Sequence, residues 1–121
     1  MNLSGECISK ILNFYKLTEK DLIVIYDDID IPLGKIKIRP YGSSGTHNGM
    51  RNIINLIKSE NFARVRVGTD KPQNGIDLAD YVLMKLNSEE KTRLDEAVKN
   101  ASNAVAEIIK NGCQSAMNEY N

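Results

Sequence analysis

Three features of the sequence predict an α/β domain. They are a continuous apolar run at Leu22–Tyr26, two alternating runs at Lys35–Arg39 and Phe62–Val67, and apolar residues at helical spacing around them. An uninterrupted apolar run suits a strand covered on both faces of a sheet, whereas strict alternation marks a half-buried strand. Helical and strand patterns that interleave along one chain specify layered α/β packing. At 121 residues, with no repeat, low-complexity tract or linker, the expectation is one domain over 1–121.

In chain order, Ser4 is placed to cap a first helix in which Ile8, Ile11, Leu12 and Tyr15 recur at helical spacing. Lys16–Asp21 is a short polar connection, and the strand Leu22–Tyr26 ends abruptly at Asp27 and Asp28. Ile29–Gly34 holds a Pro and a Gly and reads as a turn before the strand Lys35–Arg39. Gly42–Gly49 is a Gly- and Ser-rich loop, after which Asn48 or Gly49 opens a helix striped with Met50, Ile53, Ile54 and Ile57. Phe62–Val67 is the third strand, Asp70–Gly75 a loop, and Leu78–Leu86 an apolar stretch too short to assign. Asn87 and Glu90 have capping-box spacing for a long last helix. Its stripe is Leu94, Val98, Ala101, Val105, Ile108 and Ile109, and Gly112 supplies the stop. Three strands, one of them wholly apolar, need cover on both sides of the sheet, so further elements upstream of Met1 are expected.

Lys plus Arg and Asp plus Glu balance at 16 each, and this neutrality argues against a generally basic nucleic-acid binder. The distribution is uneven. Between Lys35 and Lys71 only Glu60 and Asp70 oppose Lys35, Lys37, Arg39, Arg51, Lys58, Arg64, Arg66 and Lys71. Such a middle third reads either as a local phosphate-binding face or, more commonly, as solvated strand and helix faces. Neither a signal peptide nor a membrane-length apolar run is visible, which makes the cytoplasm the expected location. Cys7 and Cys113, far apart and without CxxC spacing, with a single histidine, predict neither a disulfide framework nor a metal site.

Asp27 and Asp28 directly follow a strand, where open α/β sheets place ligand sites; the plainer reading is a turn using Asp for local hydrogen bonds. His47 lies in the loop between Gly45 and Gly49, beside Asn48, and can act as base, acid or hydrogen-bond donor, although a lone loop histidine is more often a bystander. The loop meets neither nucleotide fingerprint, yet backbone amides leading into a helix can bind an anion. Arg39 and Arg66 close the two alternating runs and, on neighbouring strands, would form a two-point grip on phosphate.

Taken together, Met1–Gly5 (MNLSG), Leu22–Gly34 (LIVIYDDIDIPLG), Gly45–Gly49 (GTHNG), Phe62–Pro72 (FARVRVGTDKP) and Asp80–Leu83 (DYVL) resemble, in order and spacing, segments of bacterial-type peptidyl-tRNA hydrolases. The resemblance covers essentially the whole chain and corresponds to the C-terminal two-thirds of that family. It implies a single α/β domain with a mixed sheet between helices, no metal or cofactor, and cleavage of the ester between a peptide and the 3′ ribose of tRNA. By the same resemblance, Asp27 polarises the base histidine, Asn2 and Asn48 hold the peptide and the 3′ end, and His47 lines the cleft. Arg39 and Arg66 grip acceptor-stem phosphate.

The family's base histidine belongs to a segment before the MNLSG motif, so the chain is expected to be N-terminally truncated and inactive or very weak alone. The alternative is a non-catalytic module that binds RNA acceptor stems; a third reading makes His47 a substitute base. The family is usually monomeric. Here the apolar faces of Leu22–Tyr26 and Val65–Val67 are expected to be exposed and to drive self-association. Gly68-Thr69-Asp70-Lys71 departs from the family's Gly-Ile-Gly-Arg and places an acid on that rim, and Ser44 and Thr46 stand where small residues are common.

Overall fold

A computed structural model of the chain describes residues 3–71 and 86–121. In chain order these form α1 (Ser4–Phe14), a 3-10 turn (Glu19–Asp21), β1 (Ile23–Asp28), β2 (Ile36–Arg39), α2 (Asn48–Ile57), β3 (Ala63–Gly68), α3 (Ser88–Asn111) and α4 (Cys113–Tyr120). The three strands form one mixed sheet in the order β1-β3-β2. The end of β3 lies beside the start of β2, with Gly68 N–H donating to Lys35 O at 2.9 Å. The ends of β1 and β3 lie together, with Thr69 N–H donating to Asp28 O at 3.0 Å. β3 therefore runs parallel to β1 and antiparallel to β2. The expected α/β class and mixed sheet are observed, and the stretch Leu78–Leu86, left unassigned from the sequence, lies almost wholly outside the described residues.

The chain resolves into two compact units, residues 1–24 with 39–64, and residues 25–38 with 65–121. In the first, α1 packs on α2 and Leu12, Met50, Ile53 and Phe62 are buried. Close approach is enabled at Gly5, where a Cβ would stand 2.6 Å from Asn52 O, inside van der Waals contact. The Gly5 amide instead donates to Asn52 Oδ1 at 2.7 Å. The N-cap is Leu3, without a side-chain bond, so Ser4 is the first helical residue and not the cap. Ile11 and Tyr15 are exposed because the buried side of α1 is the one carrying Gly5 and Leu12.

In the second unit Ile31, Ile36, Ile38, Val65 and Val67 are buried, as are Ala97, Ala101, Ala104 and Ala116. The turn 29–34 lies tightly against the end of β3: a Cβ on Gly68 would fall 2.1 Å from Pro32 O. Asn87 caps α3 as expected, exchanging bonds with Glu90, and Gly112 ends it. The buried face of α3 is an alanine row, which lets the helix approach closely; Val98 and Ile109 of the expected stripe are exposed. Helix α4 restarts after Gly112 and was not anticipated. The outer edge of β2 is closed by Asn121, whose amide accepts from Ile38 N–H at 2.7 Å and donates to Ile38 O at 3.0 Å.

Two strand expectations need correction. The apolar run of β1 is not buried on both faces: none of its residues is buried and Ile25 is 51% exposed, in line with the expected exposure of the Leu22–Tyr26 face. Val65 and Val67, expected to be exposed, are buried in the central strand. The alternation in β3 also conceals a buried charge, since Arg64 is only 1% exposed.

Candidate functional site

The Gly-rich loop ends in a defined turn. His47 N–H donates to Ser44 O at 3.1 Å, closing residues 44–47, with Gly45 at φ 56°. His47 has extended backbone and is the N-cap of α2: its Nδ1 accepts the Met50 N–H at 3.1 Å. An imidazole that accepts through Nδ1 carries its neutral-form proton on Nε2, so His47 faces its surroundings as a donor. Asn48 follows as the exposed first residue of α2, beside amides of the first turn that have no acceptor within the helix.

The base of this loop is fastened to β3 through Arg64. Its Nη1 donates to Ser43 O at 3.1 Å, its Nη2 to Glu60 O at 2.8 Å and Phe62 O at 3.5 Å, and the guanidinium lies 4.5 Å from the Phe62 ring centroid. Glu60 O also accepts Gly42 N–H at 3.3 Å. Peptide carbonyls and an aromatic face together offset the desolvation of the buried cation.

In the second unit Asp27 and Asp28 end β1, both half-buried. Asp28 accepts through Oδ1 from Asp30 N–H at 2.8 Å, which shapes the following turn, and through Oδ2 from Arg66 Nη1 at 3.1 Å. Arg66 and Asp28 side chains are only 20% and 15% exposed, so screening of this pair is incomplete. The buried Arg66 Nε has no acceptor among the described residues. Arg39 is exposed at the end of β2, the neighbour of β3 as anticipated. Arg66, however, is already engaged by a carboxylate. Lys71 makes a looser pair with Asp30, at 3.5 Å.

Asn2 lies outside the described residues. Sequence reasoning missed three parts of the site: the capping role of His47, the partnership of Asp28 with Arg66, and the burial of Arg64. For Arg64 a signal existed, since alternation puts it on the same side of the strand as Phe62, a face on which a guanidinium can stack. Among the described residues no cluster of three His, Cys, Asp or Glu is placed to hold a metal. Cys7 and Cys113 are free, and burial raises the Cys113 thiol above its ordinary pKa, which makes it a poor nucleophile. No helix among the described residues is long and apolar enough to cross a membrane.

The model of the peptidyl-tRNA hydrolase family matches residues 1–121. Peptidyl-tRNA hydrolases of Alkaliphilus oremlandii and a Thermoanaerobacter species are 50% and 53% identical over the whole chain, which spans 65% of the length of each. The crystal structure of peptidyl-tRNA hydrolase from Acinetobacter baumannii superposes with a TM-score of 0.88 at 30% identity, covering 98% of this chain and 60% of that one. A full-length family match, half-identical relatives and a shared fold establish that the chain belongs to the peptidyl-tRNA hydrolase family.

Proposed function

We propose that the chain forms the substrate-facing part of a peptidyl-tRNA hydrolase, acting on the ester between a peptide and the 3′ ribose of tRNA. The observation that supports this best is the unbroken match to the family over 1–121, which includes the loop that delivers His47 and Asn48 to the start of α2. In this reading Asp27 fixes the tautomer of the base histidine and stabilises its imidazolium. Asn2 and Asn48 position the ester and hydrogen-bond its carbonyl as negative charge develops. His47 donates to the substrate, and Arg39 and Arg66 meet acceptor-stem phosphate, giving affinity that falls with salt. The partner is peptidyl-tRNA, no cofactor takes part, and the place of action is the cytoplasm.

His47 is the only histidine of the 121 residues, and its capping bond to Met50 N–H argues against its serving as a substitute base. To accept a proton at Nε2 its neutral ring would need the other proton on Nδ1, where Met50 N–H already donates. In this reading the 121 residues, acting without a base histidine, hydrolyse weakly or not at all, since a positioned base commonly contributes about 10²–10⁴-fold. The same capping bond favours, as a second reading, a module that binds acceptor stems without cleaving. The exposed Ile25 supports self-association of the isolated chain, which light scattering at high concentration checks.

The deciding experiment measures release of the peptidyl group from acetyl-aminoacyl-tRNA by this chain, alone and with the remaining N-terminal segment of a half-identical relative added. Release only on complementation supports the hydrolase reading. Tight RNA binding without release in either case supports the binding module. Release by the chain alone that His47→Ala abolishes would overturn the assignment of His47 as donor.

A further inference from the structure

We infer that Arg64 is the positioning residue of the His47–Asn48 loop: a buried guanidinium that sets the peptide plane from which the turn to His47 starts. The inference rests on the reading above only for what the loop binds. Arg64 is the one charged or polar residue among those described whose side chain is counted in the buried core, at 1% exposed. Its two arms reach carbonyls on both sides of the loop base, Ser43 O at 3.1 Å and Glu60 O at 2.8 Å. The second carbonyl also accepts Gly42 N–H, so Glu60 O, Arg64 and the Gly42–Ser43 segment form one connected group. Gly42 itself lies over the guanidinium, where an added Cβ would be 3.8 Å from Nη1.

One peptide further on, Ser44 O accepts His47 N–H, and His47 Nδ1 then accepts Met50 N–H. Rotating the 43–44 peptide would thus move the acceptor that closes the turn and, with it, the ring that caps α2. A guanidinium suits this task because its donors form a rigid planar fork, whereas a lysine ammonium offers three donors at one point and cannot span two separated carbonyls while stacking on Phe62.

The test is amide hydrogen exchange on the full chain with Arg64→Lys, together with ¹⁵N shifts of the His47 ring. Exchange at the His47 and Met50 amides is expected to rise about tenfold, the scale of one lost hydrogen bond to a charged group. Amides of α3 should keep their protection, and the His47 nitrogens should shift from an Nε2–H pattern toward an average of both tautomers. Unchanged protection at His47 and Met50, or an equal loss throughout α3, would overturn the inference. Should Arg64→Lys not fold, the unaltered chain decides. A through-hydrogen-bond coupling between Arg64 Nη1 and the Ser43 carbonyl carbon is expected, and its absence on a resolved Arg64 signal would refute the fork geometry. Affinity of both chains for acetyl-aminoacyl-tRNA separates the two levels of argument. If the unaltered chain binds no RNA, the substrate reading fails while the exchange data still decide the role of Arg64.

Discussion

Replacing Asp28 with Asn isolates the ion pair that holds Arg66. The substitution keeps an Oδ1 that can accept Asp30 N–H, and so preserves the turn after β1, but removes the charge facing Arg66 Nη1 at 3.1 Å. Both side chains are less than a quarter exposed, which places the pair between a surface bridge and a buried one. A hydrogen bond to a charged group in such a setting is worth about 1.5–3 kcal/mol, and a neutral amide retains part of it, so a loss of roughly 1–2 kcal/mol is expected. For a chain of 121 residues the entropy of unfolding converts each kcal/mol into about 4 °C of Tm. The assay is urea unfolding of both chains, with an unchanged slope and a shifted midpoint. The freed Arg66, whose Nε has no acceptor among the described residues, should at the same time steepen the salt dependence of RNA binding by about one unit of log–log slope. A variant as stable as the parent and with the same salt slope would refute the claim that Asp28 restrains Arg66.

Three further outcomes are expected. Gly5→Ala places a Cβ 2.6 Å from Asn52 O and should cost about 1–3 kcal/mol through overpacking between α1 and α2, read by thermal unfolding. Asn121→Ala removes the side chain that pairs with Ile38 N–H and O on the β2 edge. It should lower stability by about 1–2 kcal/mol and raise exchange at the Ile38 amide, measurable by NMR. Glu107 accepts from Asn111 Nδ2 at 2.6 Å and Ser115 Oγ at 2.9 Å, and these bonds, the Asn111 one foremost, hold its carboxyl below the ordinary glutamate range. Because the folded value is the depressed one, its tie between α3 and α4 is fully present above the ordinary glutamate pKa and is lost as pH falls through the folded value. A carboxyl ¹³C titration should show the low midpoint, and Ser115→Ala should raise it.

The sequence alone determined the parts of this protein that depend on local periodicity and local bonding. The alternating run Lys35–Arg39 buries Ile36 and Ile38 and exposes Lys37 and Arg39, since successive strand residues face opposite sides whatever the neighbours. Asn87 and Glu90 cap α3 because their reciprocal bonds need only three residues of chain. The collinear motifs that placed the chain in its family are equally local. Tertiary structure decided what depends on partners distant in sequence. Whether an apolar run is covered depends on what packs over the faces of its strand, so Ile25 in β1 is exposed while Val65 and Arg64 in β3 are enclosed. The alternation of Phe62–Val67 is indifferent to whether an arginine finds carbonyls to satisfy it. Only the return of the loop at Ser43 and the turn at Glu60 made the burial of Arg64 affordable. Likewise Arg66 reads as a free cation until Asp28, 38 residues earlier, is brought within hydrogen-bond reach on the same sheet. Long-range pairing of charges and carbonyls follows from chain folding, and strand periodicity by itself does not specify it.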